Sequence, residues 1–186
     1  MPPDYPVVLY YKKIPTVKKW CQHLEKGVIS LGGGNIGING ENNLTNIDYI
    51  TEDYYNTKIN KSAKVCDGDI LLCKDGAKTG KVCYITDVND KVMAVNEHVF
   101  ILRTNNQIQP KYLFYYLYST FGQAALEPLK TKGGQGGINS TKLKMCQVPI
   151  IKNQDEFIIK ADQVMKNVKE SERQKHISKL IEDYII

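Results

Sequence analysis

The chain has no Cys-x-x-Cys pair, no G-x-S-x-G nucleophile elbow and no cluster of acids around a lysine of the nuclease or methyltransferase kind. Its five cysteines, Cys21, Cys66, Cys73, Cys83 and Cys146, are scattered, and its three histidines share no ligand spacing with them. A structural zinc site needs close Cys/His pairs, so no metal is expected and the thiols read as small core hydrophobes. No apolar run approaches the ~18 residues that span a bilayer, so no membrane association is expected. At the N-terminus an acid and prolines precede the apolar patch around Val7 and no small-residue cleavage site follows it, so no signal peptide is read and a cytoplasmic location is expected.

Two motifs come close to a nucleotide site and fail on chemistry. Gly32-x-Gly34-x-x-Gly37 has the dinucleotide-binding spacing, but that fingerprint requires a helix to start there, because its first amides hold the pyrophosphate. The turn-rich stretch Ile38-Asn-Gly-Glu-Asn-Asn-Leu44 follows instead. Residues 76–81, GAKTGK, are one residue short of a phosphate loop, and Val82 stands where a magnesium-binding Ser or Thr belongs. His98 lies beside Glu97 without a nucleophile to serve. No catalytic set and no cofactor are expected.

What the chain does have is positive charge, unevenly placed. Its 186 residues suit one domain with an appended element. Residues 1–150 carry 18 Lys and Arg against 13 Asp and Glu, while residues 151–186 carry seven of each, so the whole excess of +5 lies on the body. Residues 129–145 contain Lys130, Lys132, Lys142 and Lys144 and no acid, a stripe suited to phosphate contact, although a solvated face is the commoner meaning of any one such stretch.

Residues 1–106 read as strands and loops. Val28-Ile-Ser-Leu31, Ile70-Leu-Leu-Cys73 and residues 81–85 are strand candidates bounded by glycine and aspartate turns. Residues 92–103 read as one further strand, with Val99 and Ile101 on one face and Phe100 and Leu102 on the other. Strands 70–73, 81–85 and 92–103 suggest an antiparallel meander. Pro110 opens a helix reaching about Leu126, a glycine loop occupies 132–137, and residues 146–151 suggest a last strand. From Asn153, with Glu156 in a capping-box position, no Pro or Gly interrupts residues 154–186, which predicts one helix of ~50 Å. Its narrow apolar seam, Ile158, Ala161, Met165, Val168, Ile177, Leu180, Ile181 and Tyr184, wants either another helix or its own domain beside it.

Several of these stretches, in order, resemble the target-recognition domain of Type I restriction–modification specificity subunits. They are residues 68–82 (GDILLCKDGAKTGKV), 94–103 (AVNEHVFILR), 112–119 (YLFYYLYS), the glycine loop running into 138–143 (INSTKL), and Val148-Pro-Ile150 followed by Asn153-Gln154 and the helix. The resemblance spans roughly residues 45–186. The chain departs from the family's pattern in having one such domain and one helix rather than two of each, in its first 30 residues, and in Pro149-Ile-Ile151 where Pro-x-Pro is usual.

The resemblance implies an α+β fold: a mixed or antiparallel-sheet target-recognition domain over residues 1–151, then a long coiled-coil-type helix over 152–186. It implies a non-catalytic specificity subunit that binds double-stranded DNA, with methyltransferase and restriction subunits supplying catalysis. A half-length chain could pair its helix with that of a second copy, a homodimer that would read an inverted, bipartite site. The seam residues above are then the dimerisation set, and a ~50 Å helix sets a gap of ~15 base pairs. Lys130, Lys132 and Lys142 are candidate phosphate contacts, and Gln135, Asn139, Ser140 and Thr141 candidate base readers, with Gly133 allowing close approach. Lys74, Lys78, Thr79 and Lys81 form a second candidate set on the 70–85 hairpin. The competing readings are a protein–protein adaptor or decoy derived from such a subunit, an enzyme using the 32–37 loop for a nucleotide, and a detached recognition domain of a fused restriction–methylation enzyme.

Overall fold

The computed structural model describes residues 26–88, 91–131 and 136–185, together with the backbone of a strand, β1, at Val7–Tyr10. The remaining strands are β2 (Val28–Leu31), β3 (Asp48–Ile50), β4 (Ile70–Cys73), β5 (Val82–Tyr84), β6 (Met93–Val95) and β7 (Val99–Thr104). They form a sheet in the order β1-β7-β4-β5 and a smaller one in the order β3-β2-β6. The first is antiparallel throughout; in the second β2 runs parallel to β6 and antiparallel to β3. The helices are α1 (Glu52–Thr57), α2 (Pro110–Tyr118), α3 (Thr120–Leu126), α4 (Ser140–Leu143), α5 (Gln154–Asn167) and α6 (Glu170–Ile185). The class is α+β, as the resemblance implies.

The larger sheet is buried on both faces, which explains why β4 is a continuous apolar run. Ile70, Leu72, Phe100 and Leu102 point to a helical layer with α2, Phe157, Ala161, Ile177 and Ile181. Leu71, Cys73, Val99 and Ile101 point to the smaller sheet and Val28, Leu31, Met93 and Val95. Helix α2 lies in the middle of the helical layer, buried from Tyr112 to Tyr118.

The sheet order is not the expected meander. Strand β4 pairs with β5 along one edge and with β7 along the other. The single strand expected at 92–103 is two strands in different sheets. Between them Asn96 accepts the His98 amide on its Oδ1 at 3.0 Å, an Asx turn that sends the chain from one sheet to the other. The helix expected from Pro110 to Leu126 breaks at Ser119. There the backbone is extended, and Oγ accepts from Gly122 N–H at 3.2 Å, capping α3.

No strand forms at 146–151. Its carbonyls are taken by side chains of α2: the Tyr112 hydroxyl donates to Pro149 O at 2.7 Å and that of Tyr116 to Gln147 O at 3.2 Å. Asn153 does sit at the N-cap of α5, but its side chain donates to Glu156 Oε2 at 2.7 Å instead of closing a capping box.

The C-terminal helical segment is divided. Val168 is extended (φ −96°, ψ 141°), its carbonyl accepting from Arg173 Nε at 3.1 Å, and α6 returns along α5. The reason is visible in the thinned seam at residues 171–175: a straight helix would leave Ile177 and Ile181 in water, whereas the hairpin buries both completely. Each such side chain gains about 1.5–3 kcal/mol from burial. Helices of 14 and 16 residues reach only ~21 and ~24 Å, so the 50 Å spacer and its ~15-base-pair gap do not hold.

Candidate nucleic-acid interface

Three glycine-bearing loops meet at one end of β4. The first is the β4–β5 turn, residues 74–81, where Gly76 (φ 82°) and Gly80 (φ 88°) take left-handed conformations that reverse the chain. The second is the segment after α3, which runs along this turn: Asp75 and Gly137 form a β-bridge, and Ile138 N–H donates to Lys74 O at 2.8 Å. The Thr79 hydroxyl, within reach of Gly76 O at 2.6 Å, also reaches Gly136 O at 3.0 Å. The third is the 32–45 loop between β2 and β3, held by Lys78, whose ammonium donates to Gly34 O and Ile36 O, each at 2.9 Å.

The structure thus brings the described members of both candidate sets to neighbouring loops. Lys74 Nζ donates to Glu97 O at 3.1 Å and lies 3.9 Å from Asp75 Oδ2. Lys81 reaches Gln123 Oε1 at 3.5 Å, and Lys130 pairs with Glu127 at 2.6 Å. The latter is an exposed i,i+3 pair worth no more than ~1 kcal/mol, so a phosphate could compete for Lys130 cheaply. Asn139 Oδ1 accepts Lys142 N–H at 2.8 Å and caps α4. Ser140, Thr141 and Lys142 form the single turn of that helix, with Asn139 and Thr141 exposed. Lys132, Gly133 and Gln135 lie outside the described residues.

Sequence reasoning missed the partners that stiffen the site. His98 Nδ1 sits 2.7 Å from Asp75 Oδ1, and Gln123 Nε2 donates to Gly80 O at 2.9 Å and Leu117 O at 2.8 Å. The contacts of His98 with Asp75 and of Gln123 with Gly80 join residues more than 20 positions apart, and no local pattern announces them. Among the described residues no Cys, His, Asp and Glu cluster could hold a metal, and no helix is long and apolar enough to cross a membrane.

Seven of the eight seam residues are spent within the chain, Val168 lying at the break between α5 and α6. Ala161, Ile177 and Ile181 are buried between the hairpin and the body, with Ile158, Met165, Leu180 and Tyr184 packed against the same core. Ser178 Oγ accepts the Thr120 amide at 2.9 Å and Gln174 Nε2 donates to Tyr118 O at 2.9 Å, fastening α6 to the junction of α2 and α3.

Comparison with known proteins agrees with this architecture. A solved chain described in work on complex assembly and conformational transition of the type I R-M system superposes with a TM-score of 0.57 at 15% identity, covering 98% of this chain and 46% of that one. The type I restriction-modification system S subunit from M. genitalium gives a TM-score of 0.55 at 15% identity, covering 87% of this chain and 37% of that one. At such identities the likeness is one of fold, and the chain spans less than half the length of either. No curated protein matches it. Residues 12–185 match the family described as the Type I restriction modification DNA specificity domain, and the chain belongs to that family.

Proposed function

We propose that this chain is a sequence-specific, double-stranded DNA-binding module of a restriction–modification system, acting in the cytoplasm and reading one half of a bipartite site. The observation that carries the reading is the backbone bridge between Asp75 and Gly137, which fastens the β4–β5 turn to the lysine-rich 129–145 segment. It makes one basic surface from two stretches that are more than fifty residues apart. Lys74, Lys81, Lys130, Lys132 and Lys142 contact phosphates. Gln135, Asn139, Ser140 and Thr141 reach base edges, and Gly133 lets the backbone approach. The chain performs no chemistry itself; methyltransferase and restriction subunits supply it.

The other half of such a bipartite site would be read by a second copy of the module. The homodimer forms through the outer face of the α5–α6 hairpin, because its inner face is occupied. Ile159 and Ile185 are exposed there, 61% and 45%. Light scattering over a range of concentrations tests this: a mass near twice 21.1 kDa supports it, and a strict monomer removes the symmetric-site reading.

The DNA reading itself is tested by titrating a labelled duplex between 50 and 200 mM salt. Affinity that falls linearly on a log–log plot supports it. Salt-independent or absent binding favours instead an adaptor derived from such a subunit, a role for which the internal ties of Lys78 and Lys81 are no handicap.

A further inference from the structure

The 32–45 loop takes no part in the function proposed above, yet it is built as tightly as the hairpin it touches. Asn35 is buried; its Nδ2 donates to the carbonyls of Asn43 and Asn46, each at 2.9 Å, and its Oδ1 accepts Gly32 N–H at 2.8 Å. Ile36 bridges to Asn42, and Gly37 N–H donates to Glu41 O at 2.8 Å. These bonds close the loop on itself and leave residues 38–40 as its tip. Ile38, at the tip, is 61% exposed on an otherwise polar turn.

Lys78 and Thr79 are adjacent, and they hold one loop on each side of the hairpin: Lys78 the 32–45 loop, Thr79 the segment at Gly136. A groove of about 500 Å³ runs between the first loop and Lys78, lined by Ile38, Asn39, Asn42, Asn43, Thr45 and the acid Glu41, whose carboxylate lies 3.5 Å from Arg173 Nη1. Asn42 Oδ1 is buried and has no hydrogen-bond partner among the described residues. An ammonium has three donors, and two of those on Lys78 are spent on backbone carbonyls, which is the bonding of a latch rather than of a phosphate contact.

The geometry points to the 32–45 loop as a third base-reading element, with Ile38 and Asn39 addressing an A·T pair and Lys78 as the positioning residue that locks the loop to the hairpin. The chemistry is specific: an amide side chain matches the N6 and N7 edge of adenine, and an aliphatic group matches the C5-methyl of thymine in the major groove. The inference rests on the DNA-reading function and adds to it a predicted base-pair type at one stretch of the site.

The test uses the full chain. A preferred duplex is selected from a random pool with the unaltered protein. Binding of that duplex, of single-position variants of it and of a random duplex is then measured from 50 to 200 mM salt for Ile38→Ala, Asn39→Ala and Lys78→Met. Ile38→Ala and Asn39→Ala are expected to weaken the selected duplex by roughly 5- to 150-fold, relaxing preference at A·T positions and leaving the random duplex and the salt slope unchanged. Lys78→Met is expected to relax the same positions with the slope intact. A slope reduced by about one in Lys78→Met, with preference preserved, marks a phosphate contact and overturns the latch. Unchanged preference in Ile38→Ala and Asn39→Ala overturns the loop's reading role while the broader function stands. Failure of the unaltered chain to bind DNA at all overturns both.

Discussion

The ring of Tyr184 meets that of Phe157 edge-on, with centroids 5.5 Å apart and planes at 85°. Tyr184 stands near the end of α6 and Phe157 near the start of α5, so this one contact states that the C-terminal helices form an antiparallel hairpin. Phe157 is completely buried and also meets Tyr112 of the body edge-on, centroids 5.3 Å apart. Phe157→Ala should therefore cost about 3–5 kcal/mol, and Ile177→Ala about 2–5 kcal/mol, in chemical denaturation. An unchanged midpoint in either variant would mean that the hairpin is not docked on the body.

Asp69 and Arg103 form a two-armed ion pair, Nε to Oδ1 at 2.6 Å and Nη2 to Oδ2 at 2.7 Å, with Asp69 also accepting Cys66 N–H at 2.8 Å. The carboxylate is 2% exposed. Asp69→Ala takes the two-armed partner from Arg103, 27% exposed, and the acceptor from Cys66 N–H, and is predicted to destabilise by about 1–3 kcal/mol. A thermal midpoint unmoved by the substitution contradicts the pair's structural role.

Asn139 caps α4 and, in the proposed function, also reads a base. Asn139→Ser keeps a capping oxygen and should leave stability within a few tenths of a kcal/mol of the original while relaxing sequence preference. Unaltered preference in the serine variant would remove Asn139 from the readout.

Lys130→Ala combined with Lys132→Ala should weaken binding to all duplexes alike and lower the salt slope by about two. Retained affinity in the double variant would show that this stripe does not face the phosphates.

Burial raises the thiol of Cys146 to about 11 and that of Cys83 to about 12, from an ordinary 9.0. Burial also raises the hydroxyl of Tyr116 to about 12 and pushes those of Tyr112 and Tyr115 upward. In the unfolded chain these groups lose protons first as pH rises, so their contribution is intact below about pH 9 and drains away between there and about 12. Thermal midpoints should hold steady from pH 7 to 8.5 and fall by pH 10.5; a flat profile contradicts the burial. Among the described cysteines, Cys66 is exposed and should react first with a thiol reagent, with Cys83 and Cys146 reacting only on unfolding.

Much of this was legible because it is local. The 68–82 hairpin announces itself through Asp67-Gly68, Ile70-Leu-Leu-Cys73 and the glycines at 76 and 80, and the alternation at Val99 to Leu102 assigns both faces of β7 correctly. The seam of the C-terminal segment was legible too, but its partner was not. A narrow apolar stripe serves equally for a second copy or for the chain's own body, and Val168 carries no helix-breaking signature. The split at Asn96 and the order β5-β4-β7 depend on which strand edge a distant segment finds, which period-two patterning does not encode. At the site the glycines and lysines stood out, whereas the ties of Lys78 to Gly34 and Ile36 span more than forty residues and needed the fold.

The central claim is that this chain reads sequence in duplex DNA. Selection of bound duplexes from a random pool by the unaltered chain, in moderate salt, tests it most directly. Enrichment of a defined half-site, present as an inverted repeat where two copies bind, is the expected result. A pool that stays random after several rounds, from protein shown to be folded, contradicts it.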